Sequence, residues 1–182
     1  MKYIGHIVPL IALAGCASSP TPSHTAPAEE YYYDCDTPGG HFSEWNRTVA
    51  QSAIDIHGFV QVIEPRQDAH WVPAANIVLY AADKTKSVAL SFIMPRFDAE
   101  QIQPTLKNYI NSSTDDTIPS LAWKSGPIPF DVTLSKEGVF TITTDSESRS
   151  QSIGNFRPAT FALSCSTGQF KFTKVSAVSG KP

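Results

Sequence analysis

Ile54, Ile56, Gly58, Val60 and Val62 take every second position of one unbroken stretch, with Asp55, His57 and Gln61 between them. Strand side chains alternate between two faces, so this pattern describes a strand with one face in a core and the other in water. The same period returns at Ile77, Leu79 and Ala81, at Val88, Leu90, Phe92 and Met94, and at Phe130, Val132 and Leu134. It returns again at Phe161, Leu163 and Cys165, and at Phe170 and Phe172. Val139–Thr144 is β-branched and aromatic, which suits a pleated surface, and Lys136-Glu137-Gly138 before it reads as a hairpin turn. Tyr31-Tyr32-Tyr33 is expected to form the first strand.

Ala99–Asn111 reads two ways, because Ile102, Leu106, Tyr109 and Ile110 fit helical spacing while Ile102, Pro104, Leu106 and Ile110 share a strand face. Pro104 inside it would cost a helix ~3 kcal/mol, so the strand is favoured and a short helix is the alternative. Fourteen prolines spread over 182 residues argue against a helical bundle. Many short strands without a βαβ rhythm predict an all-β fold, a two-sheet antiparallel sandwich. The length gives room for one domain, and a 41% hydrophobic content supplies its core. A net charge of −3 argues against an electrostatic nucleic-acid binder.

The start of the chain carries an address. Lys2 precedes a mostly apolar run, Ile4–Leu13, about half the ~20 residues that a membrane-spanning helix needs. A short basic start, a short apolar run and small residues after it describe an export signal. Leu13-Ala14-Gly15-Cys16 matches the lipobox, and in this the chain resembles bacterial lipoproteins. The resemblance implies cleavage after Gly15, a diacylglycerol on the Cys16 thiol and anchoring in a membrane. Ala17, in place of a retaining aspartate, implies the outer membrane, with the face the domain meets left open. Two or more acyl chains anchor a protein stably where one does not.

Residues 1–15 are thus expected to be a signal peptide, residues 16–30 a Pro/Ser/Thr-rich tether and residues 31–182 the sandwich. Ala17–Glu30 holds no large apolar residue and cannot bury enough surface to offset the entropy of ordering it. With Cys16 assigned to lipid, Cys35 and Cys165 remain. In an oxidising compartment they are expected to pair as a disulfide, making the first and last strands neighbours.

The long strand and proline-marked loop of residues 54–96, with PFDVTLSKEGVFTIT and FALSCSTGQFKFTKV, resemble the concanavalin-like lectin and glucanase jelly rolls in strand rhythm and turn placement. Hydrolases on that scaffold set acidic residues at alternate positions of one strand, where the carboxylates converge. This chain has no such strand. Asp145 and Glu147 fall in a Ser-rich stretch read as a turn, and Asp98 and Glu100 border a proline-flanked loop. No Gly-x-Ser-x-Gly elbow occurs. His41, His57 and His70 have no metal-ligand spacing, and His57 is placed on the watery face of its strand. Gly39-Gly40 reads as a turn. No catalytic residue, metal or cofactor is assigned.

Aromatic rings remain as candidates for stacking on sugars: Trp45, Trp71, Trp123, Tyr80 and Tyr109. Trp71 is the best placed, in a loop where Arg66, Asp68 and His70 could hydrogen-bond hydroxyls. The expected function is a non-catalytic, lipid-anchored sandwich that binds an envelope glycan or an envelope protein through Arg66, Asp68, His70 and Trp71. The alternatives are a glycoside hydrolase or lyase with a site assembled from distant loops, and a structural envelope lipoprotein.

Overall fold

A computed structural model describes residues 29–49, 53–110 and 114–179. The expected signal peptide, Cys16 and most of the tether lie outside the described residues. Eleven strands follow in order: β1 (Glu30–Thr48), β2 (Ile54–Pro65), β3 (Ala74–Tyr80), β4 (Ser87–Ile93), β5 (Gln101–Asn108), β6 (Thr114–Thr117), β7 (Leu121–Ala122), β8 (Ile128–Leu134), β9 (Val139–Thr144), β10 (Glu147–Ser152) and β11 (Thr160–Ser179). A single 3-10 turn, Trp123–Ser125, is the helical element among the described residues. Every pairing is antiparallel.

The two sheets share their longest strands. Residues 160–166 of β11 pair with β3, and residues 168–179 pair with β2. On its other edge, β11 pairs with β1 along both halves, across a register break between Thr37 and Phe42. The first sheet is therefore β1-β11-β3-β4-β5-β6 and the second is β1-β11-β2-β8-β9-β10. Strands that pass from one sheet to the other do so at bulges or bends. In β11 the bend falls at Thr167, fully buried with φ 54°; in β1 it falls at Gly40, with φ 69°. Thr37 bridges the two bends, since its hydroxyl donates to the Gly168 carbonyl (3.0 Å) and accepts from the Gly168 amide (3.3 Å).

Cys35 lies on the second-sheet half of β1 and Cys165 on the first-sheet half of β11, and a disulfide joins them across the corner, Cα to Cα 6.0 Å. The expected neighbourhood of the first and last strands is observed. The stretch that read two ways forms strand β5 over Gln101–Asn108, because Pro104 is compatible with a strand and not with a helix interior. Two readings need correction. The Gly39-Gly40 pair is a bend inside β1 and not a turn that ends it. The turn is confined to Asp145 (φ 54°) and Ser146, and Glu147–Ser152 continues as edge strand β10 on β9. Hydroxyl pairs hold β10 there, Thr141 to Ser150 at 2.8 Å and Thr143 to Ser148 at 2.5 Å. Such pairing needs no apolar alternation, the feature by which the other strands are recognised.

The core is the sequence's period-two set. Phe92, Phe130, Phe140, Phe161, Phe170 and Phe172 are fully buried between the sheets, and burial of each ring contributes ~1.5–3 kcal/mol. Gly58 belongs to the same inward row: a Cβ there would stand 3.0 Å from the Val175 backbone and 3.1 Å from the Phe130 ring. The neighbours fill the space that a side chain would have needed.

Candidate functional site

The first sheet turns small side chains outward. β3 presents Ala74, Asn76 and Val78, and their cross-strand partners on β4 are Ile93, Ser91 and Ala89. β11 presents Ala162, Ser164 and Ser166 beside them. Although they point away from the core, Ala162, Ser164, Ser91, Ala89 and Val78 are all buried, because larger neighbours rise around them. The Asn76 amide donates to the Ser164 hydroxyl (3.2 Å) and fixes the middle of this floor.

The wall on one side is the β2–β3 loop, residues 66–73. Arg66 reaches back to β1, donating to Asp36 (2.5 Å) and to the Thr37 carbonyl (2.7 Å), and it also meets Glu64 (3.0 Å). Asp68 accepts the backbone amides of His70 (2.8 Å) and Trp71 (3.0 Å). Those amides, the His70 one first, hold the Asp68 carboxyl below its ordinary value of 3.8. The loop lies against the β1 bend so closely that a Cβ on Gly39 would meet the Gln67 carbonyl at 2.7 Å and one on Gly40 the Asp68 carboxylate at 2.8 Å. The Ser166 hydroxyl donates to the Val72 carbonyl (3.2 Å) and ties the loop to the floor.

This buttressing leaves the Trp71 ring 46% exposed. His70, Trp71 and Val72 line an open groove of about 330 Å³ with Ala74, Asn76, Ser91, Ile93, Ser166, Lys107 and Tyr109. Its size is in the range of small-ligand sites. Lys107, on β5, pairs with Asp115 of β6 (2.5 Å), and Tyr109 is 49% exposed. The other flank of Trp71 faces a second hollow of about 310 Å³, closed by Pro95, Arg96 and Phe97 of the β4–β5 loop.

The four residues chosen from sequence are thus neighbours with unequal tasks. His70 and Trp71 face the groove, whereas Arg66 and Asp68 spend their polar atoms shaping the loop and border only the second hollow. Trp45 packs inward on Tyr31 and Phe161, at ring-centre distances of 5.1 and 5.5 Å. Trp123 is held by its indole N–H to the Ala99 carbonyl (2.8 Å). Tyr80 stands further along the same outer face, its hydroxyl on Glu44 (3.1 Å); burial, then the Glu44 charge, pushes its phenol up to about 12. Asn76, Ser91, Ser166 and Lys107 were not found by sequence reasoning. A usable signal existed: strands whose inward positions are large and whose outward positions are Ala, Ser or Asn.

Among the described residues, no Asp or Glu lines the groove. On the outer face of the second sheet, Asp55, His57 and Asp131 bring one ligand atom each within 4.8 Å of one another. All three are exposed, and cross-strand register, His57 opposite Asp131, creates the juxtaposition that sequence spacing hid.

No family model matches the sequence, and no curated protein matches it. Solved structures do resemble the chain. A scytalido-glutamic peptidase is 12% identical with TM-score 0.60, over 76% of this chain and 80% of that one. An alginate lyase from Pseudomonas aeruginosa is 10% identical with TM-score 0.55, over 75% and 68%. A carbohydrate-binding module from Bacillus subtilis is 10% identical with TM-score 0.52, over 83% and 92%. Likeness at this identity shows the fold, a jelly-roll sandwich of the concanavalin-like kind, and shows it alone.

Proposed function

We propose that this chain is a lipid-anchored outer-membrane protein whose sandwich binds an envelope glycan, without cleaving it, in the groove between Trp71 and Tyr109. One observation carries the reading: a floor of small polar side chains flanked by two exposed aromatic rings on a rigid sheet. Sugars offer flat C–H faces to rings and hydroxyls to amides, and this groove has both kinds of partner. The fold supports the reading at a coarse level, since one structural neighbour is a carbohydrate-binding module and another a lyase of alginate. The peptidase neighbour is the reason why the groove, and not the fold, bears the argument. The lipobox at Leu13–Cys16 supports the anchor.

Full-length protein run through gels containing soluble polysaccharides should be retarded by at least one of them, and Trp71→Ala should remove the retardation. Mobility unchanged across a broad panel would end the binding reading. Shortened sugar chains after long incubation would favour the hydrolase or lyase alternative. Intact mass of membrane-extracted protein tests the anchor, with an unmodified Met1 terminus as the contrary result.

A further inference from the structure

Resting on that reading, we infer that the groove takes an uncharged oligosaccharide of several sugar rings and discriminates against uronate, sulfated or phosphorylated chains. The argument begins with the charges. Among the described residues, Lys107 is the one lysine or arginine in the groove lining, and Asp115 already neutralises it. Further along the face, Glu44 is met by the Tyr80 hydroxyl (3.1 Å) and by Lys84 (3.6 Å). On the far flank of Trp71, Arg66 is committed to Asp36 and Glu64, and Arg96 forms a two-pronged pair with Asp98 (2.9 and 2.6 Å). Asp68 is spent on backbone amides.

An anionic sugar reaching for Lys107, Arg66 or Arg96 would therefore have to displace a carboxylate from that cation, and then sit beside that carboxylate. Each displacement sacrifices a formed charge-assisted bond for a new one, so nothing is gained from the anion while the repulsion remains. Neutral hydroxyls meet no such competition. The Ser91 hydroxyl makes no side-chain hydrogen bond among the described residues, and it stands beside Asn76 in the middle of the floor.

The length follows from the sheet. The floor runs from β5 through β4 and β3 to β11, three inter-strand steps of ~4.8 Å each, or about 14 Å. That span fits an oligosaccharide, not a single sugar. Trp71 lies between this floor and the second hollow, so a chain crossing the ring continues into a further position bordered by Phe97.

The test uses the full-length protein in gels containing neutral polymers (laminarin, hydroxyethyl cellulose, galactomannan) and anionic ones (alginate, polygalacturonate, heparin), at 50 and 500 mM NaCl. The expected result is retardation by a neutral polymer, changed less than twofold by salt, and competed by its tetrasaccharide at least tenfold better than by its monosaccharide. Stronger retardation by an anionic polymer that collapses in high salt would overturn the inference while leaving glycan binding intact. Equal competition by the monosaccharide would overturn the length. Retardation by none of the six would remove the proposed function, and this inference with it.

Discussion

The outer faces of the two sheets are built on one interior and have opposite relief. On the first sheet, Ala, Ser and Asn form a floor below Trp71, Lys107 and Tyr109. On the second, hydroxyl pairs such as Thr141 with Ser150 share the surface with the exposed Asp55, His57, Phe59 and Asp131. Inward positions on both sheets are mostly apolar, so they do not distinguish the faces. The contrast teaches that a sandwich makes a binding surface by shortening outward residues in its middle strands and raising a loop at their ends.

Substitutions on either face put this contrast to the test. The largest effect is expected from removing the disulfide in a Cys35→Ala, Cys165→Ala variant. Its closed loop spans 130 residues, and loss should lower stability by about 2–5 kcal/mol in urea titration. Because the bond joins the two sheets at their corner, both faces should suffer together; a groove that keeps its affinity in a half-unfolded protein would contradict shared support. Next, Gly58→Leu drives a side chain into Val175 and Phe130 in the second sheet and should cost about 1–3 kcal/mol. Glycan retardation measured well below the transition should be unchanged, which separates the faces.

Asp68→Ala frees the two amides that set the pose of Trp71. It should weaken retardation nearly as much as Trp71→Ala, with the denaturation midpoint almost unmoved. Normal retardation would show that the loop holds its shape without that carboxylate. A smaller effect is expected at the exposed His57→Ala on the second sheet: stability within about 0.5 kcal/mol of the parent, and binding unaltered. A binding defect there would place function on the wrong sheet.

The smallest effect concerns alkaline pH. The Tyr80 phenol titrates near 12 in the folded chain against an ordinary 10.0, so its contribution is complete below pH 10. Between pH 10 and 12 the unfolded chain releases the proton first, and stability falls as pH rises. Urea midpoints at pH 9 and pH 11 should show the fall, and Tyr80→Phe should lessen it.

Much of the fold was legible in the chain, for a simple reason. Burial on one face imposes a period of two, and Ile54 to Val62 or Val88 to Met94 show it without help from distant residues. Edge strand β10 was missed because it lies at the margin of the sandwich, where hydroxyl pairs suffice and no alternation is required. The site was half legible. Trp71 and His70 announce themselves in a proline-flanked loop, whereas Asn76, Ser91 and Ser166 become neighbours only through the register of β3, β4 and β11. Arg66 and Asp68 were found for their hydrogen-bonding capacity, but their partners Asp36 and the backbone amides absorb it.

Strand β11 holds a middle place in both sheets, and it follows every other described strand in the chain. Until its twenty residues emerge, β3–β6 and β2 with β8–β10 are two fragments with no common seam, and β1 has nothing to lie against. The sandwich therefore cannot close before β11 has been made, and the earlier strands stay open along that seam, and threadable, up to that moment. A stop ahead of this strand would not trim the protein but would remove the one partner that β1, β2 and β3 share.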